Sequence, residues 1–326
     1  MISSEQQRQL PSTHSPSVPL RRREMLAGVC TTLCGATSIL ALAQDRAADE
    51  AAPLTTMLEV GGARIEVHFD ADFSALLRTE ALAWVRRSAD AVVGYFARFP
   101  VSIAELWMQP VAGGGVRGGA SYGDPALVRI RLGRETTREQ FLADWIMTHE
   151  MIHLAIPDVP RSQLWLHEGI ATYVEGVARA RAGLVTAQSV LSEWMRGMPH
   201  GLPEAGDQGL DHTPTWGRTY WGGAMFCLLA DVKIRQRSAG RVGLQQALQG
   251  VLAAGGNYNV SWPVKRTLAA ADKAVGQTTL TELHASMADR PVPVDLDMLW
   301  RDLGVTAGGP PRDDAPLAAV RRAIFA

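Results

Sequence analysis

Apolar and polar residues alternate along 57–69, with Leu58 and Val60 before Gly61-Gly62 and Ile65, Val67 and Phe69 after it. A period of two around a glycine pair predicts a hairpin, and His68 falls on its solvent side. Over 74–99 the period lengthens: Leu77, Ala81, Trp84, Val85, Ala89, Val92 and Phe96 recur every three or four residues, predicting a long amphipathic helix ended by Pro100. Two further alternating stretches, 102–111 and 126–132, predict strands. Between them the glycine-rich run 113–119 lacks the Gly-Lys-Ser/Thr ending of a phosphate-binding loop. It reads as a flexible loop or as the edge of a substrate cleft.

Helical periodicity then takes over. Thr136-x-x-Glu139 reads as a capping box, Phe141, Leu142, Trp145, Ile146 and Ile152 follow at helical spacing, and Pro157 and Pro160 end the run. Helices are predicted over 164–181 and 185–198. After a polar loop, 199–215, more follow over 216–237, 241–254, 263–275 and 278–288. A last short helix is capped by Gly304, followed by a loose tail over 308–314 and one helical turn after it.

At 326 residues and 47% hydrophobic content, the chain can bury a substantial core in one or two domains. Residues 1–43 hold four Arg and two Glu, leaving 28 basic and 31 acidic groups, a net of −3. No basic stripe suggests a nucleic-acid partner. The same segment reads as an export signal. Arg21-Arg22-Arg23 leads into an Ala- and Thr-rich apolar run ending Ala41-Leu42-Ala43, and Arg22-Arg23-x-Met25-Leu26 resembles a twin-arginine signal. The expected organisation is an export signal at 1–43, a linker at 44–56, a catalytic domain at 57–305 and a tail at 306–326. The protein is thus expected outside the cytoplasm, in the periplasm or beyond, with no stable membrane span once the signal is removed; its oligomeric state is left open. Beyond the signal the one cysteine is Cys227, in the apolar run 225–229, and it reads as buried and inert.

Polar residues interrupt the apolar helix after 136 at His149, Glu150 and His153, an H-E-x-x-H motif. Helical residues four apart lie about 40° apart in rotation and about 6 Å along the axis. The two imidazoles therefore share a face and suit one Zn²⁺, with Glu150 between them able to act as base on a water at an open position. Glu168, in Trp165-Leu166-His167-Glu168-Gly169, is the natural third ligand. Its helix carries Ala171 and Thr172, small enough for close approach, and Glu175, able to bond the free ring nitrogen of a liganding histidine or to remain a solvated charge. His167 is expected to turn away from the metal, since neighbours on a helix point about 100° apart.

These residues resemble the gluzincin zinc metallopeptidases. His149-Glu150-x-x-His153, followed by Trp165-Leu166-x-Glu168-Gly169-x-Ala171-x-Tyr173-x-Glu175, is similar to the aminopeptidase N and glycyl aminopeptidase branches. Tyr220-Trp221-Gly222-Gly223 resembles their Y-x-x-G element. The resemblance implies an α+β fold: a thermolysin-like catalytic domain with a small N-terminal mixed sheet packed on a mainly helical C-terminal part. It implies His149, His153 and Glu168 as ligands of a single zinc, Glu150 as general base, Tyr220 as the hydroxyl that stabilises the oxyanion, and a peptide or protein substrate. One departure stands out. The family's upstream acid that holds a substrate's free amino group is missing from Gly118-Gly119-Ala120-Ser121, and the nearest acid is Asp124. Two other readings stay open: an exported non-catalytic binding protein with a structural zinc, and a zinc hydrolase of a non-peptide bond.

Overall fold

Gly61 and Gly62 both take positive φ, 57° and 82°, making the tight turn that the alternating pattern around them requires. The computed structural model describes residues 54–121 (of Ser121 the backbone only), 123 and 125–326. The export signal, most of the expected linker and Asp124 lie outside the described residues. The turn joins β1 (Leu54–Val60) to β2 (Ala63–Phe69), antiparallel. Helix α1 (Ala75–Phe96), capped by Ser74, carries the chain across to β3 (Ile103–Val111), parallel to β2. Then come β4 (Val116–Ser121) and β5 (Ala126–Gly133). With β5 parallel to β3 and β4 antiparallel at the edge, the described sheet runs β1-β2-β3-β5-β4.

The inner face of this mixed sheet is set by the alternation itself. Ile65, Val67, Leu106, Met108, Val128 and Ile130 are buried in one core with Trp84, Val85 and Ala89 of α1. The predicted strands and hairpin are all present, and the glycine-rich stretch is a loop only as far as Gly115. From Val116 it is the edge strand β4, where Gly118 serves close approach. A Cβ on Gly118 would come within 2.8 Å of Ile130, 3.0 Å of Ile146 and 3.2 Å of the Glu150 side chain.

The helix expected to run unbroken from the capping box to the histidines is in fact two. α2 (Arg138–Ala143) is capped by Thr137 and Gln140, one residue later than expected. Thr136 instead binds the loop carbonyls of Gly133 and Gly115. At Asp144 the backbone is extended (ψ 138°), and α3 (Ile146–His153) starts afresh.

The rest is helical: α4 (Leu164–Arg181), α5 (Ala187–Gly197), a π-helical turn (Arg218–Gly222) running into α6 (Gly223–Arg237), α7 (Leu244–Ala253), α8 (Val264–Val275), α9 (Thr279–Met287) and α10 (Leu296–Leu303). Gly304, at φ 69°, caps the last of these. The helical turn expected after the tail is a full helix. α11 (Ala318–Phe325) docks on α4, burying Ile324, whose carbonyl accepts from Arg181 Nε at 3.0 Å. Among the described residues no helix is long and apolar enough to cross a membrane. Cys227 is buried and has no disulfide among the described residues, and burial pushes its thiol pKa up.

One contact joins the two sequence motifs. α4 and α6 cross at Gly169 and Gly223. A Cβ on Gly169 would lie 2.3 Å from the Gly223 backbone, and one on Gly223 would lie 2.1 Å from the Trp165 carbonyl. The glycine after Glu168 and the last glycine of Tyr220-Trp221-Gly222-Gly223 thus exist for each other. Gly169→Ala is expected to force the helices apart, at a cost of about 1–3 kcal/mol or more, and to displace Glu168 from the histidines. Urea unfolding together with metal content measures it; a variant of parental stability and zinc affinity would show the crossing to be slack.

Candidate metal centre

α3 owes its start to Asp144. Its Oδ1 accepts from the Met147 amide at 3.2 Å and from the Trp84 indole at 3.1 Å, tying the new helix to α1. Burial pushes this carboxyl from 3.8 up to about 6, against its hydrogen bonds and Arg179. An acid raised on folding holds its proton longer in the folded chain, so its charging lowers stability as pH rises from about 4 to about 6. The full effect is up to about 3 kcal/mol. Asn keeps the accepting oxygen without the charge. Asp144→Asn is therefore expected to gain stability relative to the parent between pH 4.5 and pH 7 in urea titrations; a pH-independent difference would contradict this.

Because α3 restarts at residue 146, its last turn presents His149 and His153 side by side, both buried, with ring centroids 4.7 Å apart and planes at 89°. Glu168, in the first turns of α4, faces them. Its Oε2 is 3.3 Å from His149 Nε2 and 3.4 Å from His153 Nε2. Burial lowers the His149 pKa, but the hydrogen bond and charge of Glu168 outweigh it and the net shift is upward. Conversely, burial raises Glu168, yet the charge of His153 and the bonds to both rings hold it well below the usual carboxylate range. Three donor atoms thus converge within 4.8 Å, a group that can hold a metal ion.

Glu150 projects from the same helix toward β4, where the Ala120 amide donates to its carboxylate. Burial pushes its pKa up against the charges of His153 and His149. Tyr220, in the π-helical turn, directs its hydroxyl to Glu168 and sits near enough to Glu150 to feel its charge. Burial first, then these carboxylates, push its pKa up. Its ring lies 6.3 Å from that of Trp216, and Trp145 packs edge-on against His149 at 5.3 Å.

Two residues differ from expectation. Glu175 is buried rather than solvated, and it accepts from Arg179 Nη1 at 3.2 Å instead of from an imidazole. The Nδ1 atoms of His149 and His153 have no hydrogen-bond partner among the described residues. A full cation one turn away on the same helix outcompetes a neutral N–H for a buried carboxylate. Burial pushes Glu175 up to about 7 despite Arg179. His167 does not turn away from the site. Its ring stacks on His153 at 4.4 Å and 9°, and burial followed by the charge of His153 holds its pKa well below the usual value.

Sequence reasoning missed Tyr258. It is buried in the turn after α7, 6.0 Å ring to ring from His167, and its pKa is raised by burial and then by Glu150, Asp158 and Glu168. No periodicity marks it, because it enters through a loop whose amide binds the Leu154 carbonyl just beyond α3.

No protein-family model matches this sequence, and no curated protein matches it. A solved structure shares its fold, and a second is a looser likeness. The aminopeptidase N family protein of Idiomarina loihiensis is 13% identical over 77% of this chain and 49% of that one, with a TM-score of 0.58. An M1 zinc metallopeptidase from Deinococcus radiodurans is 15% identical over 74% of this chain and 52% of that one, with a TM-score of 0.49. The chain spans about half the length of each. The fold is therefore α+β and like that of the Idiomarina loihiensis protein.

Proposed function

We propose that the chain is a hydrolase holding one zinc on His149, His153 and Glu168, and that it cleaves peptide bonds outside the cytoplasm, following export directed by residues 1–43. The residues fit zinc on their own geometry. Ligands about 2.1 Å from one ion lie about 3.4 Å apart in a tetrahedron, and the Nε2–Oε2 separations are 3.3 and 3.4 Å. Two imidazoles and one carboxylate form a donor set that leaves a coordination position open. Zinc bound there would supply Lewis acidity, polarising a carbonyl and lowering the pKa of water toward about 7.

The observation that carries the catalytic reading is the placing of Glu150. Its carboxylate sits beside the three donors and is held by an amide of the sheet's edge strand. There it takes a proton from the attacking water and passes it to the leaving nitrogen. The open edge of β4 offers backbone hydrogen bonds to an extended chain, which favours a peptide substrate over an ester or epoxide. The stacking of His167 on the face of His153, outside the donor set, favours an open site over a closed structural one.

The purified chain is to be offered a mixed peptide library alongside esters and epoxides, with and without a chelator. Peptide cleavage lost to the chelator and restored by zinc is expected. Turnover of esters or epoxides alone would overturn the peptidase reading, and zinc binding with no turnover would leave a structural metal. Within the site, Tyr220 is the oxyanion donor on this reading. Tyr220→Phe is expected to lower kcat on the order of 10²-fold with little change in KM; an unchanged kcat would reduce Tyr220 to a packing residue.

A further inference from the structure

On the far side of the sheet from the helices, the outward positions of β2 and β3 carry a second group of donors. Glu66 and Glu105 are register partners on these parallel strands, and His68 lies two residues beyond Glu66 on the same face. One ligand atom from each of the three lies within 4.8 Å of the others, and His68 Nε2 is 3.9 Å from Glu66 Oε2. Like charges placed directly opposite across two strands destabilise a sheet, so the pairing of two carboxylates calls for a cation between them.

The histidine is built as a ligand is built. Its Nδ1 lies 3.0 Å from the Thr55 hydroxyl of β1, which can accept the N–H and leave the Nε2 lone pair free. Its ring is held flat against Trp107, centroids 4.4 Å apart at 18°. The Nε2 atom is shielded from solvent and has no hydrogen-bond partner among the described residues. The Trp107 indole also donates to Glu105 Oε2 at 3.1 Å, so one side chain orients two of the three donors. Arg64 occupies the other side of Glu66, 3.3 Å from Oε1, leaving Oε2 toward the imidazole. Ligands on one ion at about 2.1 Å lie about 3.4–4.2 Å apart, so a small rotation of the partly exposed Glu105 closes the set.

We propose that Glu66, His68 and Glu105 form a second metal site, distinct from the H-E-x-x-H centre, that takes a divalent first-row cation of the zinc type and clamps β2 to β3. An imidazole with two carboxylates selects such ions over calcium or magnesium, which take oxygen alone. The ion neutralises the facing carboxylates.

The test is the zinc stoichiometry of the full chain, by elemental analysis after equilibrium dialysis against zinc. Wild type is expected to hold two per chain, and His68→Ala and the isosteric Glu105→Gln one each, with hydrolytic turnover unchanged. In His153→Ala, zinc still raises the thermal midpoint; adding His68→Ala abolishes that rise. Two zincs retained in both His68→Ala and Glu105→Gln, or a single wild-type zinc that His68→Ala leaves in place, overturns the site. The count at this site is independent of catalysis, so a failed peptidase assay leaves it standing, and its failure leaves the peptidase reading untouched.

Discussion

Glu150→Gln is expected to bind zinc as the parent does and to lose hydrolysis by on the order of 10³-fold, within the range typical for removing a positioned proton carrier. The substitution is isosteric. A glutamine oxygen still accepts from the Ala120 amide, so α3 stays against β4 and the three donors stay where they are. What disappears is the capacity to take a proton, and among the described residues the neighbouring carboxylates are engaged elsewhere. Glu168 is committed to the two histidines, and Glu175 to Arg179. Turnover and metal content measured on the same preparation separate the two effects. An active, zinc-replete Glu150→Gln protein would remove Glu150 from the chemistry.

His153→Ala should act on the metal itself. Loss of a mere outer hydrogen-bond partner costs a metal site 10–100-fold in affinity, so removing one of three direct donors should weaken zinc at this centre by at least about 10²-fold and abolish turnover. The side chain also separates Glu168 from the stacked ring of His167, so circular dichroism must accompany the metal titration. A folded variant with parental affinity at this centre would show that His153 is no ligand.

These expectations rest on residues that were legible for a physical reason. Four-residue spacing on a helix is local geometry, so His149, Glu150 and His153 could be placed together without any knowledge of their surroundings. Glu168 was legible because its helix has a clear apolar period and small residues on its inner stripe. Features that depend on distant partners were not. Asp144 looks like an ordinary polar position inside a helix, and only Trp84, sixty residues earlier, makes it the point where the helix breaks and restarts. The run 113–119 was read as a loop or a cleft edge because glycine disfavours strands, whereas from Val116 it is β4, and the missing side chain of Gly118 lets Glu150 lie against the sheet. Glu175 was left between an imidazole and solvent because the sequence does not show that α4 would bury it beside Arg179. His167 illustrates the same limit. Helix geometry correctly keeps it out of the donor set, but only the packing of α4 on α3 turns its face onto His153.

The most direct test of the central claim is the anomalous scattering of a crystal of the full chain grown with zinc, recorded on both sides of the zinc absorption edge. The account predicts a strong peak within bonding distance of His149 Nε2, His153 Nε2 and Glu168 Oε2, with one side facing the Glu150 carboxylate and no fourth protein ligand. A map with no peak there, or with Glu168 turned away and another side chain completing a closed shell, would contradict it.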